Sequence, residues 1–406
     1  MKVCFETFGC RLNRAEALQE EAIYLARGWT RTESHDDADL IVIRGCSVTG
    51  RAQHDCEHLI NHIRRKYPFK RLVITGCLPS ADKNYSVRDD RLRVKDGESA
   101  FAAVPRRTAR AYLKVQDGCS GECTFCIVPT FRGRSRSVPF AECLERARRF
   151  VAVGYHEIVV TGCNLSMYAS DGKSIADLAA ALAEINPACR IRLGSLEPSP
   201  VAGKVIETVA AHRNLCRFLH IPVQSGSNRI LSAMGRPYRL QLVEDLVNQA
   251  ERLMPRCGLG CDIMTGFPDE TDTDFLATQT LFRRLPFNRV HVFPFSERPG
   301  TAAVKLLNPV PRETRRSRAH DIAKIADESR AKFARRFVGH TVDVVIEDET
   351  TLGGWTGEYL WCQVGSEKAA AYTHASGRHG NLVRRKDLVT MQVHDVKGHV
   401  LVGEPV

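Results

Sequence analysis

Gly118-Cys119-Ser120-Gly121-Glu122-Cys123-Thr124-Phe125-Cys126 is the stretch that decides the reading of this chain. Its cysteines follow the spacing C-x3-C-x2-C, directly after a predicted strand at Ala111–Val115. Three thiolates on one short loop can wrap a face of a [4Fe–4S] cube. The fourth iron then lacks a protein ligand and can chelate the amino and carboxylate groups of S-adenosylmethionine (SAM), whose sulfonium is cleaved when the cluster passes an electron. Zinc is the competing reading, but zinc sites usually gather four ligands in paired C-x2-C units, and no second pair lies near. A buried structural trio is the plainest alternative. The spacing favours the cluster.

Downstream of the loop, apolar runs recur at Glu157–Val160, Arg190–Leu193, Arg217–Ile221, Leu259–Met264 and Arg289–Phe293. Helical patterns separate them, for example Ala141–Val153 and Leu240–Leu253. With Ala111–Val115 these make six βα units, which predicts a partial (β/α)6 barrel.

Upstream, residues 1–80 alternate strand and helix. Lys2–Thr7, Leu40–Ile43 and Leu72–Thr75 read as strands, with helices at Arg14–Arg27, capped by Asn13, and at Arg51–Lys66. This order predicts a Rossmann-like parallel sheet. Each strand is followed within a few residues by a Gly-Cys pair, Gly9-Cys10, Gly45-Cys46 and Gly76-Cys77. Ligands of open α/β sheets bind beyond the carboxyl ends of the strands, so these three cysteines can converge. Three small buried thiols are the alternative.

Residues 81–110 are polar and basic, with Pro105-Arg106-Arg107, and read as a linker. Prolines near 308–312 mark a second break, and a charged helix at Glu313–Phe337 follows. The tail holds short strand-like runs at Thr341–Glu347, Glu358–Val364, Leu382–Met391 and Val400–Val402, which predicts a small all-β module. The expected domains are therefore 1–108, 109–337 and 338–406. The fold class is α/β with a β-rich tail.

The 406 residues carry 43% hydrophobic residues, fifteen cysteines and a net charge of +11. No run approaches the ~18 apolar residues of a membrane span, and the first residues lack an apolar signal region, so a cytoplasmic protein is expected. In a reducing compartment many cysteines point to metal ligation, catalysis or core packing rather than disulfides. The basic balance favours a polyanionic partner. Cys143, Cys189, Cys216 and Cys362 fall in predicted elements and read as core, while Cys163 and Cys261 fall near barrel strand tips.

The sequence resembles the radical SAM superfamily, and more narrowly its methylthiotransferases. The resemblance rests on Thr7-Phe8-Gly9-Cys10-Arg11-Leu12-Asn13, the Cys46 and Cys77 loops, and the cluster loop with Pro129-Thr130-Phe131-Arg132-Gly133-Arg134-Ser135-Arg136-Ser137. It continues through His220-Ile221-Pro222-Val223-Gln224-Ser225-Gly226-Ser227, Gly266-Phe267-Pro268-Asp269-Glu270-Thr271 and Val292–Thr301. The tail resembles the family's RNA-binding TRAM barrel. The resemblance implies that Cys119, Cys123 and Cys126 hold the radical-generating cluster. It implies that Cys10, Cys46 and Cys77 hold a second [4Fe–4S] cluster, thought to carry the transferred sulfur.

SAM contacts are expected from Phe125, stacked on adenine, from Thr161-Gly162 at the second barrel strand's end, from Ser195 and Glu197 after the third, and from Gln224 after the fourth. A generic loop role is the alternative for each. Arg132, Arg134 and Arg136, and in the tail Arg384, Arg385 and Lys386 with Arg378 and His379, are candidate RNA-phosphate ligands or solvated surface charge. Departures from the family pattern are Arg44-Gly45 before Cys46, Leu78-Pro79-Ser80 after Cys77, Cys163 for an aliphatic and Asp269 for glycine.

The resemblance implies a tRNA methylthiotransferase acting at C2 of the modified adenosine 3′ of the anticodon. The Gly-Cys-Arg-Leu-Asn and Phe-Ser-Glu-Arg-Pro-Gly-Thr runs are most similar to the threonylcarbamoyladenosine branch (MtaB type). Alternatives are the isopentenyladenosine branch, a ribosomal-protein aspartate substrate and a zinc-containing RNA-binding protein. Expected partners are the tRNA anticodon stem-loop and an electron donor such as flavodoxin or ferredoxin, with the enzyme a monomer.

Overall fold

A computed structural model describes residues 1–81, 108–365, 369, 372 and 383–406. Most of the predicted linker, Arg378, His379 and the first residue of the Leu382–Met391 run lie outside the described residues.

The N-terminal sheet is fully parallel. It comprises β1 (Lys2–Thr7), β2 (Thr30–Arg31), β3 (Leu40–Gly45) and β4 (Arg71–Gly76) in the order β2-β1-β3-β4. Side chains alternate across it. Val3, Leu40, Val42 and Val73 pack with Tyr24 of α1 (Arg11–Ala26), while Cys4, Ile41, Ile43 and Ile74 pack with Cys56, Ile60 and Ile63 of α2 (Gly50–Lys66). Thr49 caps α2 by accepting from the Ala52 amide at 3.3 Å.

Asn13 is not a cap. The first helix starts three residues earlier than expected, at Arg11, and the buried Asn13 amide donates to the Phe8 and Gly45 carbonyls at 2.9 and 3.1 Å. Asn13 therefore ties the Cys10 turn to the Cys46 turn.

Six parallel strands follow, from β5 (Ala111–Lys114) through Glu157–Thr161, Arg190–Leu193, Phe218–His220, Gly258–Thr265 and Arg289–Pro294. They pair as two three-stranded sheets, linked by bridges at Ile191–Leu215 and Ser195–His220. Alternate residues such as Leu113, Ile158, Ile191, Leu219, Cys261 and Ile263 face the surrounding helices and form the main core. The intervening residues, including Tyr112, Val159, Arg192, His220, Asp262 and His291, therefore face inward. Among the described residues no pairing joins the first strand to the last, so the barrel is open on one flank. Helix α1 abuts β5, with Ala15 and Leu18 resting on Tyr112 and Val159.

Residues Thr341–Asp348, Gly353–Thr356, Trp361–Gln363, Val400–Pro405 and Leu388–Lys397 close into a five-stranded barrel. The Gly353–Thr356 strand was not expected, because Gly353-Gly354 reads as a turn. Here the glycine serves close approach: a Cβ on Gly354 would lie 1.9 Å from the Val345 carbonyl oxygen.

The two barrels are joined by buried charge. Glu157, fully buried, receives Arg190 and Arg192, the latter at 2.7 Å, and Arg110 lies 3.8 Å away. These arginines reach on into the tail: Arg192 to the Thr356 and Gly357 carbonyls at 2.7 and 3.1 Å, Arg190 to Asp343 and Trp355, and Arg110 to Glu347 at 2.7 Å. Burial alone would raise the Glu157 carboxyl, but Arg192, Arg190 and Arg110 hold it far below the usual carboxylate range.

Candidate functional site

The 119–126 loop is built on one obligatory glycine. Gly118 has φ +68°, and a Cβ there would lie 2.1 Å from the Arg134 carbonyl oxygen. The loop is fixed by Cys119 N–H to Gly133 O at 3.0 Å, Cys126 N–H to Cys123 O at 3.1 Å, and Thr124, whose amide and hydroxyl donate to Met234 O and Ala233 O, each at 3.0 Å. Gln116 supports it from below, donating to the Gly118 carbonyl at 2.7 Å and to Ser135 Oγ at 2.8 Å.

The three thiols share one space. A Cβ on Gly121 would lie 3.4 Å from Cys119 Sγ and 3.8 Å from Cys123 Sγ. Burial raises Cys126 to about 11, and its neighbours Cys123 and Cys119 push in the same direction. Arg236 offsets this by donating to Cys123 Sγ at 3.0 Å. Thiols crowded together at a cost to ionisation, with a cation aimed at one of them, suit a positively charged metal centre. The donor set fits an iron–sulfur cluster.

Cys10, Cys46 and Cys77 also converge, at the carboxyl ends of β1, β3 and β4 as expected. A Cβ on Gly9 (φ +92°) would lie 2.8 Å from Cys46 Sγ, and Cys77 N–H donates to Gly45 O at 3.0 Å. Burial raises Cys46 and Cys77, and both feel Cys10 as a neighbouring charge. Cys46 and Cys77 are buried and Cys10 is exposed, so this trio presents an accessible corner. It too fits a cluster.

Arg132 connects the two trios. It follows the 119–126 loop, yet its guanidinium donates to Cys77 Sγ at 3.3 Å, to Asn13 Oδ1 at 2.7 Å, to Glu16 at 3.0 and 3.1 Å, and to Asp117 at 3.0 Å. Lys114 bridges the same two carboxylates. Arg132, a candidate RNA-phosphate ligand in the sequence, thus directs its guanidinium to protein groups. Arg134 and Arg136 are exposed. Arg44, unexpected before Cys46, is answered by Glu16 at 2.7 Å and Glu20 at 3.0 Å.

The expected SAM contacts divide. Glu197 lies near the cysteine loop, paired with Arg236, which also reaches Tyr238 at 3.1 Å. Thr161 is buried, and Gly162 passes so close to Gln116 that a Cβ would meet Gln116 Oε1 at 2.8 Å. Ser195 bridges to His220, and Gln224 (φ +68°) pairs its backbone with Asp262 and Met264. Phe125 packs into an apolar cluster with Ile230, Met234 and Phe267. Sequence reading missed Arg236, because nothing in a lone Gly-Arg-Pro marks it as a cysteine partner.

It also missed a cavity of about 640 Å³ that borders Cys10. Arg11, Arg14, Arg31, Arg110 and Arg385 line it, drawn from all three regions of the chain. Tyr359 closes one side, its hydroxyl accepting from Arg11 at 2.7 Å and its ring stacked on Trp355 at 4.8 Å. Burial would raise this phenol, but Arg11, Arg110, Arg289 and Arg192 bring it down to about 8. Arg384 is exposed, and the Arg385 amide donates to Glu349 at 2.8 Å. Lys386 has φ +84°, with its amide bound to the Ile346 carbonyl at 2.8 Å.

Comparison with known proteins matches residues 2–94 to the model described as Uncharacterized protein family UPF0004 and residues 113–282 to the Radical SAM superfamily. One cysteine trio falls in each match. The chain is 31% identical over 375 residues to the threonylcarbamoyladenosine tRNA methylthiotransferase MtaB of Thermotoga maritima, covering 85% of this chain and 86% of that protein. It is 28% identical over 462 residues to the tRNA-2-methylthio-N(6)-dimethylallyladenosine synthase of Christiangramia forsetii, covering 100% and 94%.

The chain belongs to the radical SAM methylthiotransferase family.

In fold, this methylthiotransferase is similar to the radical S-adenosylmethionine methyltransferase TsrM of Kitasatospora setae, with a TM-score of 0.55 at 13% identity over 74% of this chain and 76% of that one. Radical SAM membership implies a [4Fe–4S] cluster and SAM, and the methylthiotransferase family implies a second cluster. Asp269, standing where the family commonly has glycine, keeps the left-handed backbone at φ +68° and pairs with Arg229 at 2.5 Å. No helix among the described residues is long and apolar enough to cross a membrane.

Proposed function

We propose that this methylthiotransferase acts on tRNA, at C2 of N6-threonylcarbamoyladenosine beside the anticodon. The observation that carries the reading is the Arg132 bridge, which seats the Cys10/Cys46/Cys77 trio against the Cys119/Cys123/Cys126 loop. Transfer of a methylthio group to an unactivated carbon needs a radical source and a sulfur source at one substrate cavity, and two adjacent trios supply places for both.

In this reading Cys119, Cys123 and Cys126 hold the first [4Fe–4S] cluster with SAM, and Cys10, Cys46 and Cys77 hold the second. Bound there, the clusters and SAM supply the radical and the sulfur. The chain's own residues position and shield. Arg236 balances charge at Cys123 and holds Glu197 beside it. Gln116, pressed against Gly162, fixes the floor beneath Gly118. Helix α1 packs against the inward face of the first two barrel strands, through Ala15 and Leu18 on Tyr112 and Val159, and excludes water there. The arginine-lined cavity beside Cys10 concentrates positive charge that suits an RNA backbone.

The threonylcarbamoyl branch rests on the two short runs quoted from the sequence, and relatives of both adenosine branches match at similar identity. Nucleoside mass spectrometry of tRNA from cells lacking the gene decides. The 2-methylthio form of threonylcarbamoyladenosine should vanish and return with the wild type but not with Cys123→Ala. Loss of the isopentenyl analogue alone overturns the branch. Persistence of every methylthio nucleoside, with no redundant enzyme present, overturns the tRNA reading.

A further inference from the structure

Val3 and Phe5 of β1 face α1, so Cys4 and Glu6 face the other side of the sheet. There the loop after β2 brings in His35, whose Nε2 lies 2.8 Å from Glu6 Oε1. One donor atom from each of Cys4, Glu6 and His35 lies within 4.8 Å of the other two. The loop is held in place by Lys70, which donates to the carbonyls of His35 at 2.7 Å and Ala38 at 3.0 Å. The Tyr67 ring meets the imidazole edge-on at 6.4 Å. The thiol is buried, while the Glu6 and His35 side chains are 35% and 20% exposed, so the cluster has a closed floor and an open rim. None of the three takes part in the proposed function, and they lie on the face of β1 opposite Phe5 and the arginine-lined cavity.

We propose that Cys4, Glu6 and His35 form a zinc site that fastens the loop after β2 to the first strand. One sulfur, one oxygen and one nitrogen suit a borderline-soft dication, whereas calcium and magnesium select all-oxygen sets. Thiolate and carboxylate together neutralise the dication, and the open rim leaves the fourth tetrahedral position to water. Tetrahedral zinc holds such ligand atoms roughly 3.3–3.7 Å apart, a spacing that falls between the 2.8 Å His35–Glu6 separation and the 4.8 Å that bounds all three. Without metal, burial keeps the Cys4 thiol protonated at about 11; binding displaces that proton to solvent.

The test uses the full chain, purified anaerobically with its clusters reconstituted, incubated with zinc chloride and desalted. Elemental analysis should find about one zinc per chain, and zinc-edge X-ray absorption should find a single sulfur neighbour at about 2.3 Å. Cys4→Ser and His35→Ala should each abolish this zinc without changing the iron content, and Glu6→Gln should weaken zinc binding at least ~10-fold. Should Cys4→Ser fail to fold, His35→Ala, at the exposed rim, carries the same test. No zinc in the wild type, equal zinc in all variants, or several sulfur neighbours overturns the site. None of these outcomes bears on methylthiolation, which nucleoside analysis reads separately.

Discussion

Arg132 donates to Cys77 Sγ at 3.3 Å, although Arg132 follows the barrel's cysteine loop and Cys77 ends a strand of the N-terminal sheet. The same guanidinium fork satisfies Glu16, Asn13 and Asp117. Replacing it by alanine leaves Lys114 and Arg44 to hold Glu16, so folding survives with a loss of about 1–3 kcal/mol. Methylthiolation should fall much further, since the seating of one trio on the other is lost. Arg132→Lys keeps the charge but not the fork and should recover only part of the activity. Calorimetry read beside tRNA nucleoside analysis separates the two effects.

Gly118→Ala tests the cysteine loop. Its Cβ would overlap the Arg134 and Gly133 carbonyls at 2.1 and 2.6 Å, at a φ of +68° that alanine adopts at a cost of about 1 kcal/mol. Both obstacles are backbone, so the loop itself must shift. The expected outcome is a folded chain with roughly half the wild-type iron after reconstitution, because the Cys10/Cys46/Cys77 trio is untouched. Iron content equal to wild type would mean that this turn does not fix the ligands.

The strand–helix order and both cysteine trios were legible because they rest on periodicity and on Gly-Cys turns at strand ends, which are local in sequence. Asn13 misled for the opposite reason. Its residue type signals a cap, but its side chain is spent on the carbonyls of Phe8 and Gly45, the latter thirty-two residues away. Arg132 read as a loop cation and Arg236 went unread, and only the fold shows that Cys77 and Cys123 are their partners. The Gly353–Thr356 strand was hidden because Gly354 serves close approach to Val345, and Gly353 to Trp361, rather than turning. The Glu157 network was illegible too: Arg190 and Arg192 of one strand and Arg110, just ahead of another, find one carboxylate only when the barrel strands assemble.

Glu157→Gln leaves those guanidiniums buried without their counter-charge. Breaking a buried charged group in this way costs about 3–5 kcal/mol. Because Arg190 and Arg192 also hold the tail's carbonyls, the C-terminal barrel should loosen from the (β/α) barrel first. Limited proteolysis should cut near residue 340 faster than in the wild type, while the iron content stays unchanged.

Tyr359 makes the same interface sensitive to pH. Its phenol sits at about 8, against an ordinary value of about 10, because four arginines outweigh its burial. A depressed acid contributes stability in full above its unfolded value and loses it as pH falls through the folded one. The wild type should therefore gain about 2–3 kcal/mol relative to Tyr359→Phe as pH rises from about 8 to about 10. Paired denaturant titrations across that window measure it, and a phenolate absorbance step near pH 8 should be missing from the variant. Parallel stability curves for the two proteins would sink this account.

Arg236 offers the most direct electrical test. It donates to Cys123 Sγ at 3.0 Å and pairs with Glu197 beneath the loop. A cation beside a cluster thiolate favours the reduced cluster, which carries one more negative charge. Arg236→Gln keeps a donor and most of the side chain's length but removes the charge, so iron should be retained while the reduction potential moves to more negative values. Glu197, raised by burial and held down by Arg236, loses its counter-ion in the same variant and should take up a proton at higher pH than in the wild type. With Glu197 as the proposed SAM contact, SAM affinity should then, as pH is lowered, weaken at a higher pH in the variant than in the wild type. Anaerobic redox titration followed by electron paramagnetic resonance reads the first effect, and SAM binding across pH reads the second. An unchanged potential with intact iron would show that Arg236 supports the loop mechanically and leaves its electrostatics to other groups.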